Sequence, residues 1–183
     1  MTTRTVLDWR PALDHPDLLA PPTLVALTAW TATHPEVAET VLVAQIDPDL
    51  ADTAALVAAA GLDPAASVNC VLVAGRRSGT ERLAAAAVRS TTRADVNHKI
   101  RRLLDVNKAS FLPTDRAVAD SGMEYGGITP VGLPPSYRVL VDARIDDPAP
   151  VVIGSGVRHS KLRLPGSLLA ALPGAEVVPD LAV

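Results

Sequence analysis

The spacing of apolar positions changes several times along this chain, and each change predicts an element. Leu24, Leu27 and Trp30 recur at helical spacing between Pro22 and His34-Pro35, which predicts a short helix over 23–33 with Thr23 as its N-cap. Val37 to Ile46, with Val41, Leu42, Val43 and Ile46 ahead of Asp47-Pro48, suits a strand running into a turn. Asp52 to Ala60 reads as an alanine-rich helix with an acid at its start and Gly61 at its end. Two apolar runs, 68–74 and 83–88, flank Arg76-Arg77-Ser78-Gly79-Thr80 and predict a buried hairpin, although Leu83 to Ala87 also has helical propensity.

Further on, Val96, Ile100, Leu103 and Leu104 fall on one stripe of a helix over 93–105, with His98, Lys99, Arg101 and Arg102 opposite. A strand at 109–112 and a helix at 114–120, capped by Thr114, lead into the glycine- and proline-rich segment 122–134. Strands at 137–141 and 150–153 follow, the first closing on Asp142, which suits a turn cap, and the second ending in Gly154-Ser155-Gly156. A last helix opens at Pro165 and stops before Pro173-Gly174. Residues 1–22 hold Pro11, Pro16, Pro21 and Pro22 without a sustained period, and read as an N-terminal extension on the surface of a single domain, 23–183. Several connections between strands are too short for crossover helices. The expected class is therefore mixed α/β (α+β), a central mixed β-sheet surrounded by helices.

Composition narrows the chemistry. Aromatic residues make up only 3% of the chain, so the core must come from Ala, Val, Leu and Ile, and a broad stacking platform for bare bases is excluded. Cys70 is the one cysteine; it rules out an internal disulfide framework and a cysteine-rich zinc site, and its apolar surroundings predict an inert buried thiol. The charged start of the chain and the lack of an apolar run near ~20 residues predict a soluble, cytoplasmic protein with no membrane partner. Net charge is −3, yet residues 76–108 carry nine Lys or Arg against three acids. Arg76, Arg77, Lys99, Arg101, Arg102 and Lys108 are candidate phosphate contacts there, against the alternative of a solvated helix face and hairpin tip.

Nucleophile elbows, P-loops and paired-ligand metal motifs are absent, and the histidines at 15, 34, 98 and 159 are scattered, so neither a metal nor a cofactor is expected. The shaped segment is Gly126-Gly127-Ile128-Thr129-Pro130. A glycine pair lets a ligand approach main-chain N–H groups, and the proline fixes the turn; an ordinary tight connection is the alternative. His159, just after the second glycine turn, is either a pocket residue or a surface histidine.

The order of parts from the 96–104 stripe through Lys108-Ala-Ser-Phe, Gly126 to Gly132, Val139-Leu-Val-Asp and Gly154-Ser155-Gly156 resembles the YbaK-type aminoacyl-tRNA deacylase family. The same domain is the editing insertion of bacterial prolyl-tRNA synthetases. The resemblance spans roughly 23–175 and is strongest over 94–156. It implies hydrolysis of the ester joining a wrongly attached small amino acid to tRNA, with the tRNA acceptor end, and an aminoacyl-tRNA synthetase, as partners. It implies that Gly126, Gly127, Ile128, Thr129 and Pro130 form the catalytic loop, holding carbonyl and water through main-chain groups, with Gly154 and Ser155 as substrate contacts on the opposing wall; His159, just after that turn, is a further candidate contact by position. Asn69 stands where the family commonly has a substrate-binding lysine; it can hydrogen bond but brings no charge. A non-catalytic module binding an aminoacyl group, a nucleotide end or a protein is the alternative on the same fold.

Overall fold

Ala84, Ala85, Ala86 and Ala87 are wholly buried, and they lie in a strand. Their helical propensity is overridden because main-chain partners stand on both sides and apolar layers on both faces. In the computed structural model, which describes residues 5–183, nine strands form two sheets. They are β1 (Arg10–Pro11), β2 (Leu42–Gln45), β3 (Val68–Arg77), β4 (Thr80–Arg89), β5 (Lys108–Phe111), β6 (Tyr137–Asp142), β7 (Pro150–Gly154), β8 (Ser160–Pro165) and β9 (Ala175–Val178). The helices are α1 (Pro21–Trp30), α2 (Val37–Thr40), α3 (Thr53–Ala60), α4 (Arg101–Leu103), α5 (Thr114–Ser121) and α6 (Gly166–Ala170).

The expected mixed sheet has the order β5-β3-β4-β6-β9, with β4, β6 and β9 parallel to one another and the β5-β3-β4 pairs antiparallel. Its hairpin turns at Ser78 and Gly79, both with positive φ, as a two-residue connection between twisted strands requires. A second sheet, β1-β2-β8-β7, is antiparallel throughout. Leu140 on β6 packs with Ile100, Leu104 and Leu181 on one side, while Val139 and Val141 face Leu27, Val43, Ile153 and Leu162 on the other. The period of two along β6 thus divides the core into the layer under the basic helix and the layer between the sheets.

Several boundaries differ from expectation for local reasons. α1 starts at Pro21, since prolines fit the first helical positions, and Thr23 lies inside it with its hydroxyl on the Val131 carbonyl. Residues 37–40 form a helical turn before β2. The 93–105 helix is shorter, a wide turn over Val96–Ile100 followed by α4, with Asp95 accepting from the His98 and Lys99 N–H groups. Thr114 makes no capping bond. β8 and β9 have no counterpart among the expected strands. From Arg10 onward the N-terminal segment pairs with β2 and places Ala12 and Leu19 in the core; its first four residues lie outside the described ones. No described helix is long and apolar enough to cross a membrane.

Asp142 caps the turn after β6 and also ties down the C-terminus. Its carboxylate accepts from Arg144 N, Nε and Nη2 and from Ala182 N, all at 2.8–3.0 Å. Burial by itself would raise its pKa, but the Arg144 hydrogen bonds and charge, with the Ala182 N–H, hold it below the usual value. A group with a lowered folded pKa stabilises above its unfolded pKa and loses that contribution as the pH falls through the folded value. Asp142→Ala is expected to cost about 3 kcal/mol in denaturant unfolding at pH 7, through the lost Arg144 hydrogen bonds and a freed Ala182 N–H. The gap to wild type should close on acidification.

Candidate functional site

Two glycine turns meet at the seam between the sheets. The Gly156 N–H donates to Gly127 O at 2.7 Å, the Glu124 N–H to Gly156 O at 2.8 Å, and the Arg158 N–H to Glu124 Oε2 at 2.6 Å. The backbones are so close that a Cβ on Gly154 would lie 2.3 Å from Gly127 O, and one on Gly127 would lie 2.4 Å from Val157 O. Neither position admits a side chain without moving main chain. The 124–130 loop is therefore fixed by its contact with the end of β7.

On its other side the loop borders a cleft of about 340 Å³. Gly126 and Ile128 line one wall, Asn69 on β3 and Thr53 at the start of α3 line another, and Gly154 and Lys161 bring in the antiparallel sheet. Among the described residues, no acceptor takes the N–H of Gly126 or of Ile128. Thr53 Oγ1 donates to Asn69 Oδ1 at 2.8 Å, which fixes the asparagine and leaves its amide N–H groups for a ligand. Asp52, also on the cleft, accepts from Ala54 N and Ala55 N as the cap of α3.

Lys161 is the residue that sequence reasoning missed. It is 6% exposed, and its ammonium donates to Ala51 O at 2.9 Å and Gly126 O at 3.0 Å. Burial lowers its pKa to about 8, with Asp52 opposing the shift and Arg158 adding to it. The available clue was a period of two: Leu162 and Leu164 face the core, and Lys161 and Arg163 the other side, where Arg163 lies over the Trp9 ring. Cys70 also lines the cleft, but burial pushes its thiol up to about 12, so it is not ionised at neutral pH.

The remaining predicted residues are dispersed. Gly127 lies behind the wall. Thr129 is wholly buried with its hydroxyl unpartnered, and Pro130 borders a separate hollow beside Trp30. Ser155 turns into the interior, where its hydroxyl lies 2.7 Å from Ser160 Oγ and donates to Ser160 O. His159 does not border the cleft; its carbonyl accepts from the Ile46 N–H. Arg76 lies seven residues along β3 from Asn69, roughly 23 Å at ~3.3 Å per residue. Arg76 pairs with Glu81, Arg77 with Asp105, and Arg101 Nε donates to Asn97 O. Lys99 and Arg102 lie on the helical turn, away from the cleft. Lys108 borders a groove of about 960 Å³ that shares Asn69 and Val71 with the cleft, together with Arg93, His98 and the exposed ring of Phe111.

The sequence model of the aminoacyl-tRNA editing domain matches residues 47–172. No curated protein matches the chain. Among solved structures, a protein described as hypothetical superposes with a TM-score of 0.72 at 20% identity, over 86% of this chain and 99% of that one. A candidate trans-editing enzyme for prolyl tRNA synthetase gives 0.68 at 20% identity, over 88% of this chain and 97% of that one. A structure from the computational grafting of epitopes onto scaffold proteins gives 0.69 at 21% identity, over 87% and 95%. At these identities the likeness is one of fold.

The buried ammonium has a consequence for stability. The unfolded lysine titrates near 10.5 and the folded one near 8, so between those values the unfolded state holds the extra proton and stability rises with pH. Cys70 works in the opposite sense, because its raised folded pKa penalises folding once the unfolded thiol ionises. Comparing wild type with Lys161→Met isolates the lysine. Its contribution to wild-type stability should rise by up to about 3 kcal/mol between pH 8 and pH 10.5, read as the difference between paired denaturant melts.

Proposed function

The chain belongs to the aminoacyl-tRNA editing domain family, and from that footing we propose that it is a trans-editing deacylase that hydrolyses the ester of a small amino acid mischarged on tRNA. The observation that carries this reading is the pair of unpaired N–H groups, on Gly126 and Ile128, at the wall of a cleft whose opposite side bears Asn69. Two main-chain donors beside one small cavity suit an ester carbonyl whose oxygen gains charge as water adds. Water attacks the carbonyl carbon, the bond to the ribose oxygen breaks, and that oxygen leaves with a proton as the sugar hydroxyl. No side-chain nucleophile is needed for an ester already held in place. A volume of about 340 Å³, at the low end for ligand pockets, favours a small aminoacyl group.

The adjoining groove gives the RNA end a path. Lys108 and Arg93 supply cations for phosphates, and Phe111 offers one ring on which a terminal base stacks. Asp95 in the same groove is occupied with the His98 and Lys99 N–H groups. Arg77 is paired with Asp105, Arg101 with Asn97 O and Arg76, opposite Lys108 in the β3–β5 register, with Glu81, so the phosphate contacts proposed here rest on Lys108 and Arg93.

With a panel of tRNAs bearing small amino acids, the protein is expected to hydrolyse at least one ester faster than buffer does. Gly126 has φ +84°, and its added Cβ would sit 3.1 Å from Arg158 Nη1 and 3.3 Å from Ala51 Cβ. Gly126→Val should therefore lower the rate by roughly tenfold or more while the protein still melts cooperatively. Folded protein that binds the panel but hydrolyses none of it would replace the deacylase with a binding module, the reading that Asn69 favours. Lys108→Ala and Arg93→Ala are each expected to weaken tRNA binding and to make its decline with added salt shallower by about one unit of logarithmic slope.

A further inference from the structure

Burying an ammonium is costly unless acceptors surround it, and Lys161 has only part of such a shell. Two neutral carbonyls take two of its three N–H groups. No carboxylate lies within ion-pair distance of it among the described residues: Asp52 acts from farther away, and its Oδ1 already caps α3. The other groups around the ammonium add no negative charge. Arg158 is a cation, Cys70 remains a thiol, and Tyr125 faces solvent. Lys161 nevertheless lines the cleft, directly opposite Gly154 in the β7–β8 register. A charge kept at such a cost on the wall of a cavity points to an oxygen-bearing ligand.

We infer that Lys161 is a substrate-binding cation of this cleft: two N–H groups clip the Ala51 and Gly126 carbonyls together, and the third holds an oxygen of the aminoacyl end. The inference rests on the deacylase reading for the identity of that end. The two roles of the lysine separate cleanly with pH. A neutral amine keeps two N–H donors, so the clip survives deprotonation, whereas the third donor and the charge do not. The opposite wall offers a second position for a cation, because Asn69 faces the same space from β3.

The test uses binding, so that it does not depend on turnover. A 3′-amide analogue of an aminoacyl-adenosine, which cannot be hydrolysed, is titrated calorimetrically into wild type, Lys161→Met, and Lys161→Met combined with Asn69→Lys. Wild type is expected to bind ten- to a hundredfold more weakly at pH 9.5 than at pH 7, as a lost charge-assisted hydrogen bond implies. Lys161→Met should bind weakly at both pH values apart from the ligand's own titration, and adding Asn69→Lys should recover at least part of the affinity at pH 7. Affinity in wild type that is independent of pH, or Lys161→Met binding within twofold of wild type, would overturn the inference and leave the lysine as a clip alone. Should Lys161→Met fail to fold, the wild-type pH comparison decides. Binding that behaves as expected in a protein that hydrolyses no tested ester would remove the deacylase reading and keep the cation.

Discussion

The close approach of two backbones, Gly154 against Gly127 and Ile128, is the constraint on which the rest of the site depends. Hydrogen bonds between Gly156 and Gly127 and between Glu124 and Gly156 exist only because no side chain separates the turns. With the Gly127 carbonyl used in this way, the N–H groups of Gly126 and Ile128, two residues on the cleft, remain without an acceptor among the described residues. The cleft is thus defined by main chain on the loop side and by side chains on the β3 and α3 side, a division that favours rigid placement of a carbonyl. It also explains why the loop needs two sheets: β7 supplies the backbone it leans on, and β3 supplies the facing wall.

Lys161 links those two parts at an energetic cost. Its ammonium joins the carbonyl of Gly126 to that of Ala51, just before α3, so loop and helix start share one donor. A leucine or methionine at this position would fold without the desolvation penalty, and would leave two carbonyls unpaired in exchange. Ionisation of the lysine therefore costs stability near neutral pH while adding charge to the cavity. That is the usual direction of compromise at a site that must bind something.

Most of the fold was legible, and the parts that were not have physical reasons. The 68–89 hairpin, α3 with Asp52 and Gly61 at its ends, and the strand into Asp142 follow from local period and capping, which need no tertiary knowledge. β8 was hidden because only Leu162 and Leu164 mark its core face, and a polar stretch after a glycine turn resembles a loop. Missing β8 meant missing Lys161, and with it the second sheet. The basic region is dispersed for another reason. Residues 76–108 form one block in sequence, but folding sends Arg77 and Arg82 to Asp105, and Arg76 to Glu81, and leaves Lys108 on the groove, opposite Arg76 in the β3–β5 register. Ser155 looked like a pocket residue because hydroxyls between glycines often are; here Ser160 on the neighbouring strand pulls it inward.

The shared position of Asn69 is what turns a pocket and a groove into one continuous surface. Thr53 holds its carbonyl oxygen, so the free amide donors are placed at the boundary between a small volume and a larger one lined by Arg93, Lys108 and Phe111. A charged side chain at this boundary would attract phosphate from the groove and carbonyl from the cleft alike. A fixed neutral amide marks the junction without adding charge, while the cation sits deeper, on β8. The arrangement separates two tasks. In the proposed deacylase, charge in the groove would retain the polymer, and charge in the cleft would sense whether the polymer's end carries an acyl group. A ligand lacking that group would gain only the first set of contacts, which is a physical basis for acting on charged rather than uncharged tRNA.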